Sequence, residues 1–154
     1  MTNTVWNIIS SSAYIILSIG PLILYLLTHE NIHLVAYAGI IITYIISEFL
    51  KHTLFQYWKR PFGACDCNFW NNDGNQELQP GMPSSHTALT TFISIFYGYI
   101  SGEDNWIYIA ILWIYAILVY MSRYIKQCHS IYQIISGALL GGFIAFIWIM
   151  YVPI

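Results

Sequence analysis

Long runs of apolar residues alternate with shorter polar connections along this chain. A run of about 20 apolar residues can cross the hydrocarbon core of a bilayer as a helix. Five such runs are visible, at approximately 5–27, 32–50, 84–101, 106–121 and 131–151. Helices are expected because backbone amides find no water partners in lipid. The pattern therefore predicts an all-α fold, a polytopic membrane bundle of about five transmembrane helices.

The composition agrees with this prediction. The chain has 154 residues, of which 58% are hydrophobic and only 8% are charged. Its mean hydropathy is +0.61. Such a chain has too few polar side chains to cover a soluble globule. We therefore expect one multi-pass membrane domain spanning 1–154, with the first apolar run retained, since no basic residues precede it.

The charge balance argues against nucleic acid as a partner. The net charge is -2 and the chain contains five Lys+Arg residues. A protein that binds nucleic acid normally presents a basic patch or stripe. We expect membrane lipids, rather than nucleic acid, around such a bundle.

The order of the segments brings scattered polar residues to one side of the membrane. Two predicted helices separate the polar connection 51–83 from the polar stretch 122–130. An even number of crossings returns the chain to the same face, so residues from both regions can meet. Arg60, His86 and Arg123 can therefore converge with His129.

Several of these residues have the chemistry of an anion site. Ser84 and Ser85 precede an apolar helix, whose free N–H groups and positive dipole end attract anions. The guanidinium groups of the two arginines suit phosphate oxygens. His129 and Gln133 are four residues apart, so the Gln amide oxygen could accept a hydrogen bond from the imidazole and fix its tautomer. The simpler alternatives are a Ser N-cap, an interfacial His86, and arginines that contact lipid headgroups.

Three motifs resemble the signatures of a known family. Arg60-Pro61, Pro83-Ser-Ser-His86 and Ser122-Arg-x5-His129 occur in the order found in the type 2 phosphatidic acid phosphatase superfamily. The resemblance covers roughly 48–150. The fuller form Gly81-Met-Pro-Ser-Ser-His86, together with Gln133 in place of the superfamily's usual Asp, is most similar to the dolichyl diphosphatase branch.

This resemblance implies a role for each matching residue. His129 would be the nucleophile that forms a phosphohistidine, with Gln133 beside it, and His86 would be the general acid. The phosphate would be bound by Arg60, Arg123, Ser84 and Ser85. The resemblance implies no metal and no cofactor.

The lysine of the first signature is displaced in this chain. Thr53 stands where the family has that lysine, seven residues before Arg60. Lys51 is at the expected helix end, directly after Glu48-Phe-Leu. It would match the family's lysine if this chain has a two-residue insertion between Lys51 and Arg60. We favour Lys51 as a phosphate ligand, with Lys59 as the substitute.

The sequence hypothesis is an integral-membrane phosphatase. It would hydrolyse a polyprenyl, dolichyl-type diphosphate to the monophosphate and phosphate. One alternative is a broader lipid phosphate phosphatase that acts on phosphatidic acid. An alternative of another class is a non-catalytic membrane protein that keeps the fold to bind lipid or to serve as a structural unit.

A competing motif lies between the first two apolar runs. His29-Glu30-Asn31-Ile32-His33 matches the HExxH pattern of zinc peptidases. The count of crossings places it opposite the predicted phosphate site, and no third ligand is evident. We interpret it as a polar turn between two helices.

Two further patterns carry structural expectations. The chain has three cysteines, of which Cys65 and Cys67 are too close together for an easy disulfide, so packed or loop thiols are expected. Gly137 and Gly141 form a GxxxG pattern in the last apolar run. This pattern predicts close helix–helix packing, more readily within this chain than with another.

The orientation in the membrane is predicted differently by two arguments. All five Lys+Arg residues lie on the side of the predicted site, which the positive-inside rule would place in the cytoplasm. Phosphate binding would itself use at least three of these charges, which weakens the rule here. The resemblance implies a lumenal active site in the endoplasmic reticulum, and we adopt that orientation as the expectation.

Overall fold

A computed structural model describes residues 2–68 and 72–152 of the chain. The described part contains the helices α1 (Thr2–Thr28), α2 (Ile32–His52), α3 (Ser85–Ser101), α4 (Trp106–Ile125) and α5 (Ile131–Tyr151). A short 3₁₀ turn at Glu103–Asn105 precedes α4. The predicted all-α bundle is confirmed, and each predicted run corresponds to one helix.

Four helical stretches are long and apolar enough to cross a membrane within the described residues. They are Thr4–Thr28, Ile32–His52, Glu103–Ile125 and Ile131–Tyr151. The largest difference from the predicted boundaries is in α4, which continues to Ile125 rather than ending near 121. This places Arg123 in its last turn, where a cation is favoured by the helix dipole.

Helix α3 is the central helix of the bundle. It has 17 residues, packs against α1, α2, α4 and α5, and is buried along most of its length. Two of its threonines are satisfied within the helix: Thr90 Oγ1 donates to the His86 carbonyl at 2.9 Å, and Thr91 Oγ1 donates to the Thr87 carbonyl at 2.7 Å. Because protein rather than lipid surrounds α3, it can carry more polar residues than its neighbours.

The glycine pattern of α5 explains how closely this helix approaches α3. A Cβ at Gly137 would collide with Thr87 Oγ1 and the Ser84 carbonyl oxygen, and a Cβ at Gly141 would collide with the backbone of Ala88. The predicted close packing through these glycines occurs within this chain. It holds the start of α3, where the Ser-Ser-His motif lies, directly against α5.

The expectation of free thiols is wrong for two of the three cysteines. Cys67 and Cys128 form a disulfide across a sequence separation of 61 residues, with their Cα atoms 5.5 Å apart. The expectation failed because the partner of Cys67 is remote in sequence and becomes a neighbour only when the connection after α2 folds back over the bundle. Cys65 is a free, exposed cysteine.

The HExxH segment forms the turn between α1 and α2, as interpreted from the sequence. His29 has a positive φ of 58°, and His33 is already in the first turn of α2. The His33 Nδ1 atom is hydrogen-bonded to the Tyr97 hydroxyl at 3.0 Å. This turn is at the end of the bundle opposite to the predicted phosphate site.

Candidate active site

The connection after α2 covers one end of the bundle and returns Arg60 towards the helices. The Arg60 N–H donates to the Gln79 carbonyl at 2.8 Å, and the Gly81 N–H donates to the Trp58 carbonyl at 2.9 Å. These bonds pair the two ends of the connection beside the start of α3. Arg60 is thereby positioned next to residues that follow it by more than 20 places in sequence.

A cavity of about 300 Å³ lies beneath this connection. Its wall includes Lys51, Arg60, Ser85, His86 and His129. Five of the residues predicted from the sequence therefore share one cavity. Of the other predicted residues, Ser84, Arg123 and Gln133 are buried, and Lys59 is exposed.

Arg123 is held rigidly although it is fully buried. Its Nη1 donates to Ser10 Oγ of α1, and its Nη2 donates to the Cys67 carbonyl at 2.7 Å. The Nη1 of Arg60 donates to the Cys128 carbonyl at 3.3 Å. Both disulfide-bonded cysteines thus offer a backbone carbonyl to an arginine, so the covalent link also ties the two guanidinium groups together.

Several buried polar atoms in this region lack a hydrogen-bond partner. Among the described residues, seven buried side-chain nitrogen or oxygen atoms are unpartnered. Five of them belong to predicted site residues: Arg60 Nε, Ser84 Oγ, His86 Nε2, Arg123 Nε and His129 Nδ1. Buried polar groups are normally paired, so such a cluster is typical of a site that satisfies them with a ligand.

Ser84 is at the N-cap position of α3 but does not act as a capping side chain. Its φ and ψ are −76° and 114°, and its hydroxyl makes no capping hydrogen bond. The hydroxyl is buried and unpartnered. The simple N-cap interpretation therefore does not account for this serine, whereas a ligand oxygen at the helix N-terminus would.

Lys51, rather than Lys59, is part of the cavity. Lys51 is 5% exposed, and its Nζ donates to Ser85 Oγ at 2.8 Å and to Glu48 Oε1 at 2.5 Å. Ser85 Oγ also donates to Glu48 Oε1, at 2.5 Å. Lys51 reaches Ser85 because it is in the last turn of α2, beside the start of α3.

Gln133 connects three parts of the site through its side chain and its backbone carbonyl. Its Nε2 donates to the carbonyls of Trp58 and Lys59 at 3.2 and 2.8 Å, and its Oε1 accepts from the Ser130 N–H at 3.1 Å. Its backbone carbonyl accepts from the Ser84 N–H at 3.0 Å. Gln133 thus fixes the residues directly before Arg60, the start of α5 and the start of α3.

The environment of His129 favours a neutral imidazole. Burial, followed by the charges of Arg60, Arg123 and Lys51, lowers the pKa of His129 well below its usual value of 6.5. The nearby Gln133 side chain acts weakly in the opposite direction. A neutral imidazole has a free lone pair and can act as a nucleophile at neutral pH.

The same face of the bundle carries a further perturbed cation. The Lys126 Nζ donates to the Asp66 carbonyl at 2.9 Å. Burial and the nearby charge of Arg123 lower the pKa of Lys126 to about 8.

Sequence reasoning missed several residues of the cavity region, among them Glu48, Ser10 and Tyr14. Glu48 lines the cavity and pairs with Lys51. Ser10 accepts from Arg123, and the Tyr14 ring meets the His86 ring edge-on with centroids 4.4 Å apart. Ser10 and Tyr14 come from α1, which has no signature motif. Glu48 could have been found from its position one turn before Lys51.

The described residues offer no evident metal site. Within residues 2–68 and 72–152, no group of three or more His, Cys, Asp or Glu side chains is placed to hold a metal ion. The charged groups of the cavity are mainly cations, which suits an anionic ligand.

A family model described as the PAP2 superfamily matches residues 32–153. The chain belongs to the PAP2 superfamily. No curated protein and no solved structure matches it at a significant level. Since the PAP2 superfamily consists of phosphatases, membership suggests a lipid phosphatase in a multi-pass membrane setting. The PAP2 match begins at α2, so the contacts that Ser10 and Tyr14 make from α1 lie outside it.

Proposed function

We propose that this protein hydrolyses a polyprenyl, dolichyl-type diphosphate to the polyprenyl monophosphate and inorganic phosphate. The observation that carries the proposal is the cluster of unpartnered buried atoms on Arg60, Ser84, His86, Arg123 and His129. A terminal phosphate has several acceptor oxygens and would satisfy the arginine and serine donors together. The resemblance of Gly81–His86 and Gln133 to the dolichyl diphosphatase branch supports the diphosphate substrate.

In the first step, His129 attacks the terminal phosphorus. The new bond joins the imidazole nitrogen to phosphorus, and the bond from phosphorus to the bridging oxygen breaks. The negative charge of the bound diphosphate favours the protonated form of His86. His86 then donates its proton to the departing oxygen, so the lipid monophosphate leaves. Arg60, Arg123 and the start of α3 stabilise the charge on the equatorial oxygens.

In the second step, water attacks the phosphohistidine. His86, now neutral, takes a proton from the water as the phosphorus–nitrogen bond breaks. Inorganic phosphate leaves, and both histidines return to their starting states. Each step is balanced without a metal or another cofactor.

We also propose that the site faces the lumen of the endoplasmic reticulum. The disulfide between Cys67 and Cys128 is on the face that carries the site. Disulfides persist in oxidising compartments and are rare on the cytoplasmic side. This supports the lumenal orientation. The positive-inside rule predicts the opposite orientation, but some of the Lys and Arg residues that it counts line the cavity.

The test is phosphate release by the protein purified in detergent with EDTA present. Wild type is expected to release phosphate from dolichyl or farnesyl diphosphate, and His129→Ala is expected to abolish release. His29→Ala, which removes a histidine at the opposite end, is the matched control and is expected to keep full activity.

The other outcomes separate the alternatives. Equal release by wild type and His129→Ala would contradict the phosphohistidine mechanism. A clear preference for phosphatidic acid would favour the broader lipid phosphatase. No release from any lipid phosphate would favour a non-catalytic, lipid-binding or structural protein with the same fold.

A further inference from the structure

An apolar groove between α1 and α2 begins where the phosphate cavity ends. It has a volume of about 280 Å³. Helix α1 contributes Leu17 and Ser18, and helix α2 contributes Tyr37, Ile40 and Ile41. We call this feature the tail groove.

Two tyrosines join the tail groove to the phosphate cavity. Tyr14 and Tyr44 line both spaces. Their rings meet edge-on, with centroids 6.3 Å apart. The Tyr14 ring also makes a T-shaped contact with the His86 ring in the cavity, with centroids 4.4 Å apart. A molecule that fills both spaces would therefore pass this tyrosine pair directly beside the predicted general acid.

The tail groove runs from the site towards the middle of the membrane. In α2, Tyr37 precedes Tyr44 by seven residues, which is about 10 Å at 1.5 Å per residue. In α1, Ser18 is one turn beyond Tyr14, in the direction away from the site. Leu89 of α3, one turn below Ser85, also lines the groove. All three helices thus place the apolar lining deeper than the phosphate-binding residues.

The size of the groove matches one hydrocarbon chain. At about 30 Å³ for each water-sized group, 280 Å³ holds roughly nine methylene-sized groups. One extended chain of that many carbons spans a length similar to that of the groove. Two chains side by side would fill the same volume within about half that length.

Other apolar grooves on the described surface lack this connection. One lies between α4 and α5 and is lined by Met121, Ile125 and Ile131 among others. Another is formed by α3, α4 and α5 and includes Ile135 and Leu139. Neither shares a lining residue with the phosphate cavity. These grooves therefore serve as internal comparisons for the tail groove.

We propose that the tail groove binds the part of a single hydrocarbon chain that is nearest to the phosphate, and so selects lipid phosphates with one chain over glycerolipids with two. The proposal rests on the lipid phosphatase function proposed above. The remainder of a long chain would continue into the bilayer. The groove therefore distinguishes lipids by how many chains are attached to the headgroup, and it does not distinguish them by the total length of the chain.

Ile41→Trp tests the proposal by filling the tail groove. Ile41 is 41% exposed and lines the groove without lining the phosphate cavity. The KM for farnesyl diphosphate is expected to rise about tenfold or more, because part of the chain loses its apolar contacts. Competitive inhibition by inorganic phosphate, which has no chain, is expected to be unchanged and shows that the headgroup site remains folded.

Ile135→Trp is the matched control. Ile135 is 50% exposed and lines a groove that does not meet the cavity. Its KM for farnesyl diphosphate is expected to equal that of wild type. If the two variants change KM equally, the tail groove is not the chain-binding site. If wild type hydrolyses phosphatidic acid as efficiently as farnesyl diphosphate, the selection for one chain is wrong.

Photo-crosslinking of wild type gives a second readout that does not depend on the variants folding. The probe is a farnesyl phosphate with a diazirine near the headgroup, and labelling is expected in 14–18 and 37–44. Labelling spread evenly over the helices, or concentrated in α4 and α5, would overturn the proposal. If wild type releases no phosphate from any lipid phosphate, the proposed function is refuted, and the proposal about the tail groove is refuted with it.

Discussion

At the residue scale, Gln133 is placed for a task that a carboxylate could not perform. Its Nε2 donates to two carbonyls, those of Trp58 and Lys59, which directly precede Arg60. An aspartate or glutamate has no donor when ionised and would face these carbonyls with like charge. The amide therefore serves to hold the Arg60 segment as well as to neighbour His129.

Gln133→Glu is expected to weaken phosphate binding as well as turnover. The change keeps the shape but removes both donated hydrogen bonds, each worth about 1–3 kcal/mol when a buried partner is left unpaired. The inhibition constant for inorganic phosphate should rise at least about tenfold. Gln127→Glu makes the same chemical change at an exposed residue of the neighbouring turn. This control should leave the inhibition constant for inorganic phosphate unchanged. A loss of kcat with unchanged phosphate binding would show that Gln133 acts only on His129.

The lowered pKa of His129 makes stability depend on pH in a defined direction. Unfolding returns the imidazole to a pKa near 6.5, so the unfolded chain binds more protons between the two values, and stability falls as the pH drops below 6.5. The loss attributable to His129 is about 1.4 kcal/mol for each pH unit. Unfolding midpoints in detergent at pH 7.5 and 5.5 should fall more for wild type than for His129→Gln. Equal falls would mean that His129 titrates normally.

The candidate site residues that were predicted from the sequence share one property, and the residues that were missed share another. Ser84, His86, Arg123 and His129 are in short motifs at helix ends, where local spacing together with the family resemblance indicates their chemistry. Ser10 and Tyr14 occupy ordinary positions in an apolar helix, and only the packing of α1 gives them partners. The disulfide was not predicted for a similar reason: its cysteines are 61 residues apart in sequence and become neighbours only in the folded chain. Helix number and approximate bounds were predictable since the bilayer fixes segment length.

At the scale of the elements, the contact of α5 with α3 determines where the two serines proposed to bind phosphate lie. Gly137 approaches the Ser84 carbonyl so closely that no Cβ would fit. Gly141, one turn later, approaches the Ala88 backbone in the same way. Since backbone cannot rotate aside as a side chain can, a methyl group at either glycine must separate the helices.

Gly141→Ala is expected to destabilise the protein, and Gly142→Ala is not. The Gly141 methyl would collide with the Ala88 backbone, whereas a Cβ at Gly142 meets Ile95 Cδ1 at 3.6 Å, an ordinary contact. Overpacking costs about 1–3 kcal/mol, which lowers Tm by about 2–4 °C per kcal/mol. Thermal unfolding in detergent measures both variants. Equal midpoints for the two would contradict the close approach at Gly141.

Helix α1 lies before the region that the PAP2 model matches, yet it supplies a partner to Arg123. Ser10→Ala is expected to lower kcat/KM by about tenfold, since Arg123 loses a buried hydrogen bond. Ser11→Ala is the matched control, because Ser11 Oγ bonds only within α1, to the Asn7 carbonyl at 2.8 Å and the Ile8 carbonyl at 3.3 Å. If both variants retain full activity, the Ser10 hydrogen bond is not needed to position Arg123.

At the scale of the whole molecule, the chain places its lysines, its arginines and its disulfide at the same end. Lys51, Lys59, Arg60, Arg123 and Lys126 are all at the end that carries the cavity. Lys51 and Arg60 line the cavity, and buried Arg123 is held beside it. The proposed anionic ligand would account for the location of these three cations, so they say little about topology. The disulfide has no such second explanation, and it favours an oxidising compartment.

Cys65 offers a direct measurement of this orientation because it is exposed and free, whereas Cys67 and Cys128 are bonded. In sealed microsomes, a membrane-impermeant maleimide is expected to label Cys65 only after the membrane is permeabilised. In a Cys65→Ser background, Asp104→Cys places a thiol in the exposed turn at the opposite end, and labelling is expected without permeabilisation. The reverse pattern would place the site in the cytoplasm. In the cytoplasm, the disulfide would meet a reducing environment. The positive-inside rule would then predict the orientation correctly, even though some of the cations that it counts line the cavity.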